Sequence, residues 1–444
     1  MSPINILIPL ETSSRELLYK VYLCNLLSQA GFSCYLGSKS NIYALAKKLE
    51  NYVYLDKGYH AGVSEKLYKQ IKKNNGVIVN LDEEGAVDFV DNSTLNKRYG
   101  RGLFDHIDIA FLWGAAQYKL IKEQIGQSSK MAITGHPRFE LLKPRYHYLY
   151  RQAVHEIRKN YGAFILVNTN MGFGNNMKGD HFVFDNYVER FKNIEKIIAF
   201  DKLKYSAFVE LVIELSRRVS KKIIVRPHPE EDLRRYEKAF KDMDNIQVIY
   251  SGSVVPWLLA ADDVIHPDCT TAIETSFLGK LPISFMPKNY PTDIVTKIPL
   301  EVSLKFTDTH SIVDYLMNEK NESEDRTEKH QVLNDYFSYD RSSIDLILKI
   351  LKDIGARHSK KKIKEIGWHS VLYLKFKEIY NFVFRSKDFY FVRKKLQGFN
   401  KESIEVINET LVSFGDFDKL NLLKYNNYLY MFKKDTSDDL RKKN

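Results

Sequence analysis

The chain of 444 residues has few cysteines and no long apolar run, and both absences exclude classes of protein. Three cysteines, an odd number without a paired framework, argue against a disulfide-stapled secreted domain and indicate a reducing compartment. No apolar run approaches the roughly 18 residues that span a bilayer. The first ten residues have the character of a strand and carry no basic leader region, so we expect no signal peptide. The sequence therefore predicts a cytoplasmic protein.

The signatures of several cofactor and metal enzymes are also missing. The loop at 168–175 contains two glycines, but their spacing does not match the G-x-G-x-x-G fingerprint of dinucleotide-binding proteins. The lysine of a P-loop is absent from it, and no set of cysteines and histidines has the spacing of a zinc site. We therefore expect neither a bound cofactor nor a metal site.

The chain does contain two successive α/β patterns. Its length exceeds what one hydrophobic core supports, and strand-like runs alternate with helix-period runs in both halves. Such alternation predicts a doubly wound parallel sheet in each half, with ligands in a cleft between the two lobes. The predicted fold class is α/β, with Rossmann-like domains at residues 1–150 and 151–355. Residues 356–444 are predicted to form a basic, aromatic and helical extension.

The first polar motif, Asp82-Glu83-Glu84-Gly85, directly follows a predicted strand. The carboxyl ends of parallel strands are where α/β sheets present catalytic groups. Neighbouring carboxylates raise one another's pKa, which suits one of them to act as a general base near neutral pH. The alternative is a solvated acidic turn that Gly85 ends.

The second motif, Arg226-Pro227-His228-Pro229, also ends a predicted strand. The two prolines stiffen the backbone and suppress helix on either side of the histidine. A rigidly held imidazole beside an arginine suits a phosphate-bearing leaving group. The alternative is a strand-ending turn with a structural histidine.

In the third motif, a predicted strand leads into Thr270 and Thr271, which open a helix. Free backbone N–H groups, the helix dipole and the hydroxyls suit this position to bind phosphate. The alternatives are that Thr270 only caps the helix and that His266 and Asp268 are structural. Cys269 lacks the flanking motif of a nucleophile.

Two weaker candidates accompany these motifs. His136, in the stretch 134–138, follows the last predicted strand of the first half. In the loop 168–175, Asn170 and Gly172 lie where a backbone with little side chain can approach a ligand.

Taken in order, the motifs resemble the three signatures of bacterial GT-B sialyltransferases and related CMP-sugar transferases, which are an acidic pair before glycine, His-Pro, and paired Ser/Thr. The chain is also similar to the surface carbohydrate biosynthesis family of bacterial polysaccharide clusters, over most of residues 1–350. That similarity is carried by the strings VNLDEEG, TGHPRFELL, VRPHPEED and DCTTAIETSFLGKLPISF. The group resembles the transferases that add Kdo in capsule and O-antigen assembly and, more distantly, UDP-GlcNAc 2-epimerase.

This resemblance implies a glycosyltransferase that moves Kdo or another nonulosonic sugar from a CMP-sugar to a glycan acceptor. It implies that Glu83 or Glu84 is the base for the acceptor hydroxyl and that His228 contacts the CMP phosphate. Threonines stand where the family usually has serines, and the extra Asp82 leaves open which carboxylate is the base. The predicted donor-binding set is Arg226, His228, Pro229, Thr270, Thr271, Asn170 and Gly172.

The net charge of +11 is concentrated near the C-terminus, where twelve Lys or Arg and three acids lie between Arg357 and Lys395. Aromatic residues are interleaved with them, and apolar residues recur at helical spacing from Trp368 to Val383. Such a helix suits an anionic leaflet, so we predict that residues 360–395 attach the protein to the inner face of the cytoplasmic membrane. A lipid-linked glycan would then be the acceptor. The alternative is packing on the second lobe; nucleic acid is not expected, since no binding motif accompanies the basic residues.

Two other functions remain open. A UDP-sugar transferase or epimerase, or a CDP-polyol phosphotransferase of the same fold, would use similar residues, and nucleotide preference would separate these from a CMP-sugar transferase. An inert scaffold recruited to the membrane would need only the basic segment.

Overall fold

The computed structural model describes residues 4–85, 88, 92–189, 191, 193–250, 252–318, 323–358, 366–384 and 386–434. The chain forms two compact units. Unit 1 comprises residues 1–86, 95–141 and 336–444, and unit 2 comprises residues 87–94 and 142–335.

The strands in these ranges form two sheets, one in each unit. They are β1 (Asn5–Leu10), β2 (Ser33–Ser38), β3 (Tyr52–Asp56), β4 (Val77–Asn80), β5 (Ile109–Leu112), β6 (Met131–Ile133), β7 (Phe164–Asn168), β8 (Lys222–Arg226), β9 (Ile246–Val248), β10 (Asp263–His266), β11 (Ile283–Phe285), β12 (Leu304–Phe306), β13 (Asn421–Asn426) and β14 (Leu429–Lys433).

Helices connect the strands, and none that the structure describes is both long and apolar enough to cross a membrane. A 3-10 helix covers Pro144–Tyr150. The α-helices are α1 (Ser13–Gln29), α2 (Lys39–Ala46), α3 (Ser64–Lys73), α4 (Ser93–Arg98), α5 (Arg101–Phe104), α6 (Ala115–Ile125), α7 (Pro137–Glu140), α8 (Arg151–Tyr161), α9 (Asp180–Tyr187), α10 (Ile194–Arg218), α11 (Leu233–Ala239), α12 (Val255–Ala260), α13 (Thr271–Phe277), α14 (Lys297–Glu301), α15 (Thr309–Met317), α16 (Ser323–Phe337), α17 (Ser343–His358), α18 (Trp368–Phe384), α19 (Ser386–Lys395) and α20 (Lys401–Ser413).

The sheet of unit 1 has the strand order β13-β14-β2-β1-β3-β4-β5-β6, and its strands from β2 to β6 pair in parallel. β1 is buried along its whole length, as expected of a parallel sheet covered on both faces. Its alternate residues supply two separate cores, with Ile6 and Ile8 in one and Leu7 in the other. The order reverses between β1 and β3, the point at which a doubly wound sheet opens a crevice at its carboxyl edge.

The sheet of unit 2 has the order β12-β11-β10-β7-β8-β9, and all its strand pairs are parallel. Its order reverses between β7 and β10, so the loops that follow these two strands leave the carboxyl edge side by side. The predicted strands at 163–168 and 222–226 coincide with β7 and β8 to within one residue. The prediction of two doubly wound α/β domains is therefore confirmed.

The C-terminal part of the chain does not form the separate extension that the sequence predicts. β13 and β14 form an antiparallel hairpin, and β14 extends the first sheet by pairing with β2. Tyr430 and Phe432 on β14 are fully buried in the core to which Ile6 belongs. Gly37 permits this pairing, because a Cβ there would lie 2.7 Å from Cδ1 of Leu429. The hairpin covers an edge of the parallel sheet. Residues 336–444 thus belong to unit 1, which corrects the predicted boundaries after 150 and 355 and the separate helical extension.

Candidate functional site

In unit 1, the loops after β3, β4 and β6 bring a buried group of charged residues to the carboxyl edge of the sheet. Glu83, which follows β4, is 3% exposed. Its Oε1 accepts a hydrogen bond from the Tyr19 hydroxyl on α1 and lies 3.0 Å from Nζ of Lys20. Burial alone raises the pKa of Glu83, but the Lys20 ammonium and other basic groups outweigh it and hold the pKa well below its usual range. Glu83 is therefore a buried anion with little tendency to take up a proton.

Glu16 on α1 lies at the centre of this group, although no sequence motif marks it. Its fully buried carboxylate accepts hydrogen bonds from Nζ of Lys20 at 2.6 Å and from Nζ of Lys57 at 2.8 Å. The same oxygens accept the backbone N–H groups of Glu11 and Thr12, which satisfies free donors at the start of α1. Glu16 therefore ties the loop after β1 to the residue that follows β3.

His136, one of the weaker sequence candidates, belongs to the same group. Its Nδ1 accepts the N–H of Arg138 at 3.1 Å, so the neutral ring carries its proton on Nε2. Burial lowers the pKa of His136 to about 3, which keeps the ring neutral. Nε2 lies 3.9 Å from Oε2 of Glu83, and neither atom has a hydrogen-bond partner among the described residues. A bridging water or hydroxyl group would satisfy both atoms.

Asp82 and Glu84 flank Glu83 in sequence but lie in different environments. Asp82 is buried, and its two oxygens lie 3.1 and 3.2 Å from Nη1 of Arg98. Burial raises the pKa of Asp82 to about 6 in spite of this arginine. The Glu84 side chain is 50% exposed and contacts Nη2 of Arg98 at 2.9 Å and Nη1 of Arg15 at 3.6 Å. Of the three carboxylates, Glu84 is the one that a dissolved ligand can reach.

In unit 2, the loop after β8 holds His228 at the carboxyl edge of the second sheet. Its backbone N–H donates to Oε1 of Glu231 at 3.0 Å, and its Nδ1 accepts the N–H of Glu230 at 3.4 Å. Because Nδ1 accepts this hydrogen bond, Nε2 is the nitrogen left to donate, and it has no hydrogen-bond partner among the described residues. Gly172 lies beside the ring, since a Cβ there would be 3.4 Å from Nδ1. Two residues of the predicted donor-binding set thus meet.

Arg226, at the end of β8, is held by its surroundings. Its Nη2 donates to the carbonyl oxygen of Gly252 at 3.3 Å, and its guanidinium lies 5.0 Å from the ring centre of Trp257. Burial lowers the pKa of Arg226 to about 10, which leaves it charged at neutral pH. Pro229, on the other side of His228, is exposed.

Thr270 and Thr271 follow β10. Thr270 is exposed and makes no capping hydrogen bond to α13, whereas Oγ1 of Thr271 is buried without a hydrogen-bond partner among the described residues. Two further buried atoms share that condition, namely Nδ2 of Asn168, the last residue of β7, and Oδ1 of Asn175 on the loop that follows it. Asn170, between them in sequence, is half-buried. Buried polar atoms without partners are costly, and a polar ligand at this edge would satisfy them.

Asp268 has a structural role. One of its oxygens lies 3.1 Å from Nζ of Lys204, and the other accepts the N–H of Thr296 at 3.1 Å. Lys204 also lies 2.9 Å from Oδ1 of Asp201, whose other oxygen accepts the N–H of Phe173. The buried lysine therefore ties the loop after β10 to the loop after β7, and it leaves Asp268 paired rather than available as a nucleophile.

His266 and Cys269 are structural as well. Nδ1 of His266 accepts the N–H of Cys269 at 3.3 Å, and its Nε2 lies 2.9 Å from Oγ of Ser303. Burial lowers the pKa of His266 to about 4 and raises the pKa of Cys269 to about 11. The imidazole is therefore neutral and the sulfur a thiol. No group of three or more His, Cys, Asp or Glu side chains in the described ranges is arranged to hold a metal ion.

Sequence reasoning missed the residues that connect the loops. Glu231 and Lys204 join loops that are far apart in sequence, and Glu16 does the same in unit 1. Lys204 and Glu16 lie within helices, where nothing in the local pattern separates them from solvated charges. Glu231 stands three residues after His228, just beyond the second motif and within the string VRPHPEED, which was the one available signal.

The fold matches known structures at low sequence identity. UDP-GlcNAc 2-epimerase from Methanocaldococcus jannaschii, in complex with UDP-GlcNAc and UDP, aligns with a TM-score of 0.51 at 12% identity, over 79% of this chain and 100% of that chain. A second structure of that epimerase gives a TM-score of 0.50 at 11% identity, over 79% and 99%. A variant of the wall teichoic acid polymerase TagF gives 0.43 at 10% identity, over 69% and 72%. No family model and no curated protein matches the chain. The epimerase similarity establishes the shared GT-B fold.

We expect the buried, neutral His266 to make stability depend on pH. Its pKa is about 4 in the folded chain against roughly 6.5 when unfolded, so acidification protonates the unfolded state first. This contribution is complete above a pH of about 6.5 and is lost as the pH falls towards about 4. His266→Asn should therefore reduce the loss of unfolding free energy between pH values of about 7 and 5 by about 2 kcal/mol, measured by urea denaturation.

His155→Asn is the matched control, because His155 on α8 is an exposed histidine of the same unit. It should leave the pH dependence unchanged. An equal loss of stability on acidification in wild type and His266→Asn would contradict the expectation.

Proposed function

We propose that the protein is a glycosyltransferase that takes a nonulosonic-type sugar such as Kdo from a CMP-sugar and passes it to a glycan acceptor in bacterial capsule or O-antigen synthesis. The observation that carries the proposal is the Nε2 atom of His228, which has no hydrogen-bond partner among the described residues and lies at the carboxyl edge of the second sheet, after the strand next to the point where the order reverses. Such switch points are where open α/β sheets bind nucleotides.

The groups near His228 suit a nucleotide phosphate. The imidazole Nε2–H donates to a phosphate oxygen, and the charged guanidinium of Arg226 belongs to the residue at the end of β8, two positions before His228. Thr270, Thr271 and the backbone around Asn170 supply further donors at the edge of β7 and β10. Charge that develops on the departing phosphate is stabilised by donors already in place. The M. jannaschii epimerase holds UDP-GlcNAc and UDP on the shared fold, which supports a nucleotide-sugar ligand.

Glu84 is proposed as the base that activates the acceptor. It takes the proton of the acceptor hydroxyl, whose oxygen bonds to the anomeric carbon of the sugar. The bond from that carbon to the phosphate oxygen breaks, and CMP leaves with the electron pair. Glu83 is unsuited to this step because it is buried and its pKa is held well below the usual range. Arg15 and Arg98 hold the Glu84 carboxylate in place.

His228→Ala should weaken CMP binding, measured by calorimetry. Hydrogen bonds to charged groups contribute about 1.5–3 kcal/mol, so the dissociation constant should rise about 10- to 100-fold. His310→Ala, an exposed histidine of the same unit, should leave it unchanged. Unchanged CMP affinity in His228→Ala would overturn the site, and tighter binding of UDP or CDP than of CMP would favour the epimerase or phosphotransferase alternative.

Glu84→Gln should leave CMP affinity within about twofold of wild type, because the carboxylate acts on the acceptor. Turnover with a CMP-Kdo donor should fall about 100- to 10,000-fold, the usual contribution of a general base. Glu123→Gln, on an exposed face of the same unit, is the control. Retained turnover would assign the base elsewhere, and absence of any turnover in wild type would favour the scaffold alternative.

The proposal includes attachment to an anionic membrane surface, with a lipid-linked glycan as acceptor. Of the predicted segment 360–395, residues 360–365 and 385 lie outside the described residues. Helix α18 packs on the hairpin of β13 and β14 through the buried Leu374 and through Glu378, whose carboxylate accepts a hydrogen bond from Asn427 at 2.8 Å. This helix belongs to unit 1.

The opposite face of α18 carries large apolar side chains that solvent reaches. Leu374 lies on the inner side, and five residues about half a turn away from it form one stripe. These are Leu372, Phe376, Ile379, Tyr380 and Val383, exposed by 42, 66, 60, 55 and 56%. Lys375 on α18 and Arg393, Lys394 and Lys395 on α19 are exposed as well. An apolar stripe beside basic residues matches the acyl boundary and the anionic headgroups of a leaflet.

Phe376→Asp combined with Ile379→Asp should lower cosedimentation with phosphatidylglycerol-containing vesicles at least about tenfold, because each buried apolar side chain contributes roughly 1.5–3 kcal/mol. Val406→Asp, at a 53% exposed apolar residue of α20, is the control. Equal binding of wild type and the double variant would contradict membrane attachment through this stripe, as would binding that is independent of phosphatidylglycerol.

A further inference from the structure

Glu231 is a buried carboxylate beside His228, and the proposed transfer step does not use it. Its side chain is 1% exposed. Its two oxygens accept five hydrogen bonds. Oε1 accepts from Oγ1 of Thr169 at 2.7 Å, from the N–H of Met171 at 3.2 Å and from the N–H of His228 at 3.0 Å. Oε2 accepts from the Tyr236 hydroxyl at 2.5 Å and from Nδ2 of Asn175 at 3.4 Å.

These donors come from three places in the chain. Thr169, Met171 and Asn175 belong to the loop after β7, His228 to the loop after β8, and Tyr236 to α11. All five are neutral, and no Lys or Arg among the described residues forms an ion pair with Glu231. Burying a carboxylate is costly unless hydrogen bonds replace its water, so the two loops are constrained to converge on it.

Backbone contacts join the same two loops. Asn176 and Glu231 form an isolated antiparallel bridge. The N–H of Met177 donates to the carbonyl oxygen of Glu230 at 2.9 Å, and the N–H of Asp232 donates to that of Asn175 at 2.8 Å. The two loops are therefore hydrogen-bonded into one unit, the paired loops, with Glu231 at its centre.

Two features of the paired loops concern the ligand. The backbone of His228 is fixed by its bond to Oε1, and Gly172 is set against the imidazole ring by the neighbouring bond from Met171. The second glycine of the loop, Gly174, packs against α10, since a Cβ there would lie 2.5 Å from the backbone nitrogen of Lys202. The loop is thus anchored on both sides of Gly172.

We propose that Glu231 is a positioning residue that holds the His228 imidazole in the arrangement that binds a nucleotide phosphate. This inference rests on the proposed function. A glutamine at 231 is able to take over the role, because its amide oxygen accepts the two backbone N–H groups. The new glutamine NH2 group replaces Oε2. The Tyr236 hydroxyl oxygen accepts one of its hydrogens, and Oδ1 of Asn175, which has no partner among the described residues, accepts the other once that amide flips. An alanine leaves both backbone N–H groups buried and unpaired.

A double-mutant cycle on CMP affinity tests this role in the full chain. Glu231→Ala should weaken CMP binding at least about tenfold, and Glu231→Gln should stay within about threefold of wild type. In a His228→Ala background, Glu231→Ala should add less than about twofold, because a positioning residue acts through the residue that it holds. Tyr236→Phe, which removes a donor to the far oxygen only, is the matched control and should stay within about threefold.

The outcomes separate this inference from the proposed function. If the fold-losses of CMP affinity in Glu231→Ala and His228→Ala multiply in the double variant, Glu231 acts independently of the imidazole and the positioning role is overturned. If Glu231→Ala does not fold, Thr169→Val removes one donor to the same oxygen, and its smaller loss of affinity should likewise vanish in the His228→Ala background.

Amide hydrogen exchange supplies a readout without ligand. The N–H groups of Met171 and His228 should exchange faster in Glu231→Ala and at the wild-type rate in Glu231→Gln. If His228→Ala leaves CMP affinity unchanged, the proposed function fails while this exchange result still stands. If exchange at both amides is unaffected by Glu231→Ala, the positioning role fails whatever the nucleotide data show.

Discussion

Buried carboxylates hold together the loops on which the candidate site depends. In a parallel sheet, consecutive strands end at the same edge, so loops that are distant in sequence converge there without pairing as strands do. Their polar backbone groups need partners, and in this protein Glu16 and Glu231 supply them. Glu16 is neutralised by two lysines, whereas Glu231 has only neutral donors. Each side chain fixes two loops at once.

This constraint separates three adjacent acids that look alike in sequence. Asp82 is occupied by Arg98, and Glu83 is drawn into the buried group around Lys20. Of the three, only Glu84 extends to solvent. Its two neighbours occupy the buried positions and anchor the loop. Neighbouring residues of one motif thus differ in exposure and in their charged partners.

The same distinction applies in unit 2. His266 ends β10 and His228 follows β8, both at the carboxyl edge of the second sheet. Both ring nitrogens of His266 are hydrogen-bonded, whereas Nε2 of His228 has no partner among the described residues. The C-terminal hairpin adds a second consequence of burial. Tyr430 and Phe432 complete the first core, and α18 is thereby fixed to unit 1 with its apolar stripe outward.

The sequence by itself determined the α/β class, the two doubly wound sheets and the loops that carry His228 and Glu84, because strand–helix alternation and strand-ending motifs are local signals. It also pointed to the apolar stripe of α18 through helical spacing. Only the tertiary structure decided which histidine is free, which carboxylate is exposed and where the C-terminal hairpin pairs. Those outcomes depend on partners such as Lys204, Glu16 and Glu231. The partner of such a charged residue cannot be read from the local sequence, because the two come together only when strands distant in sequence pair in the sheet.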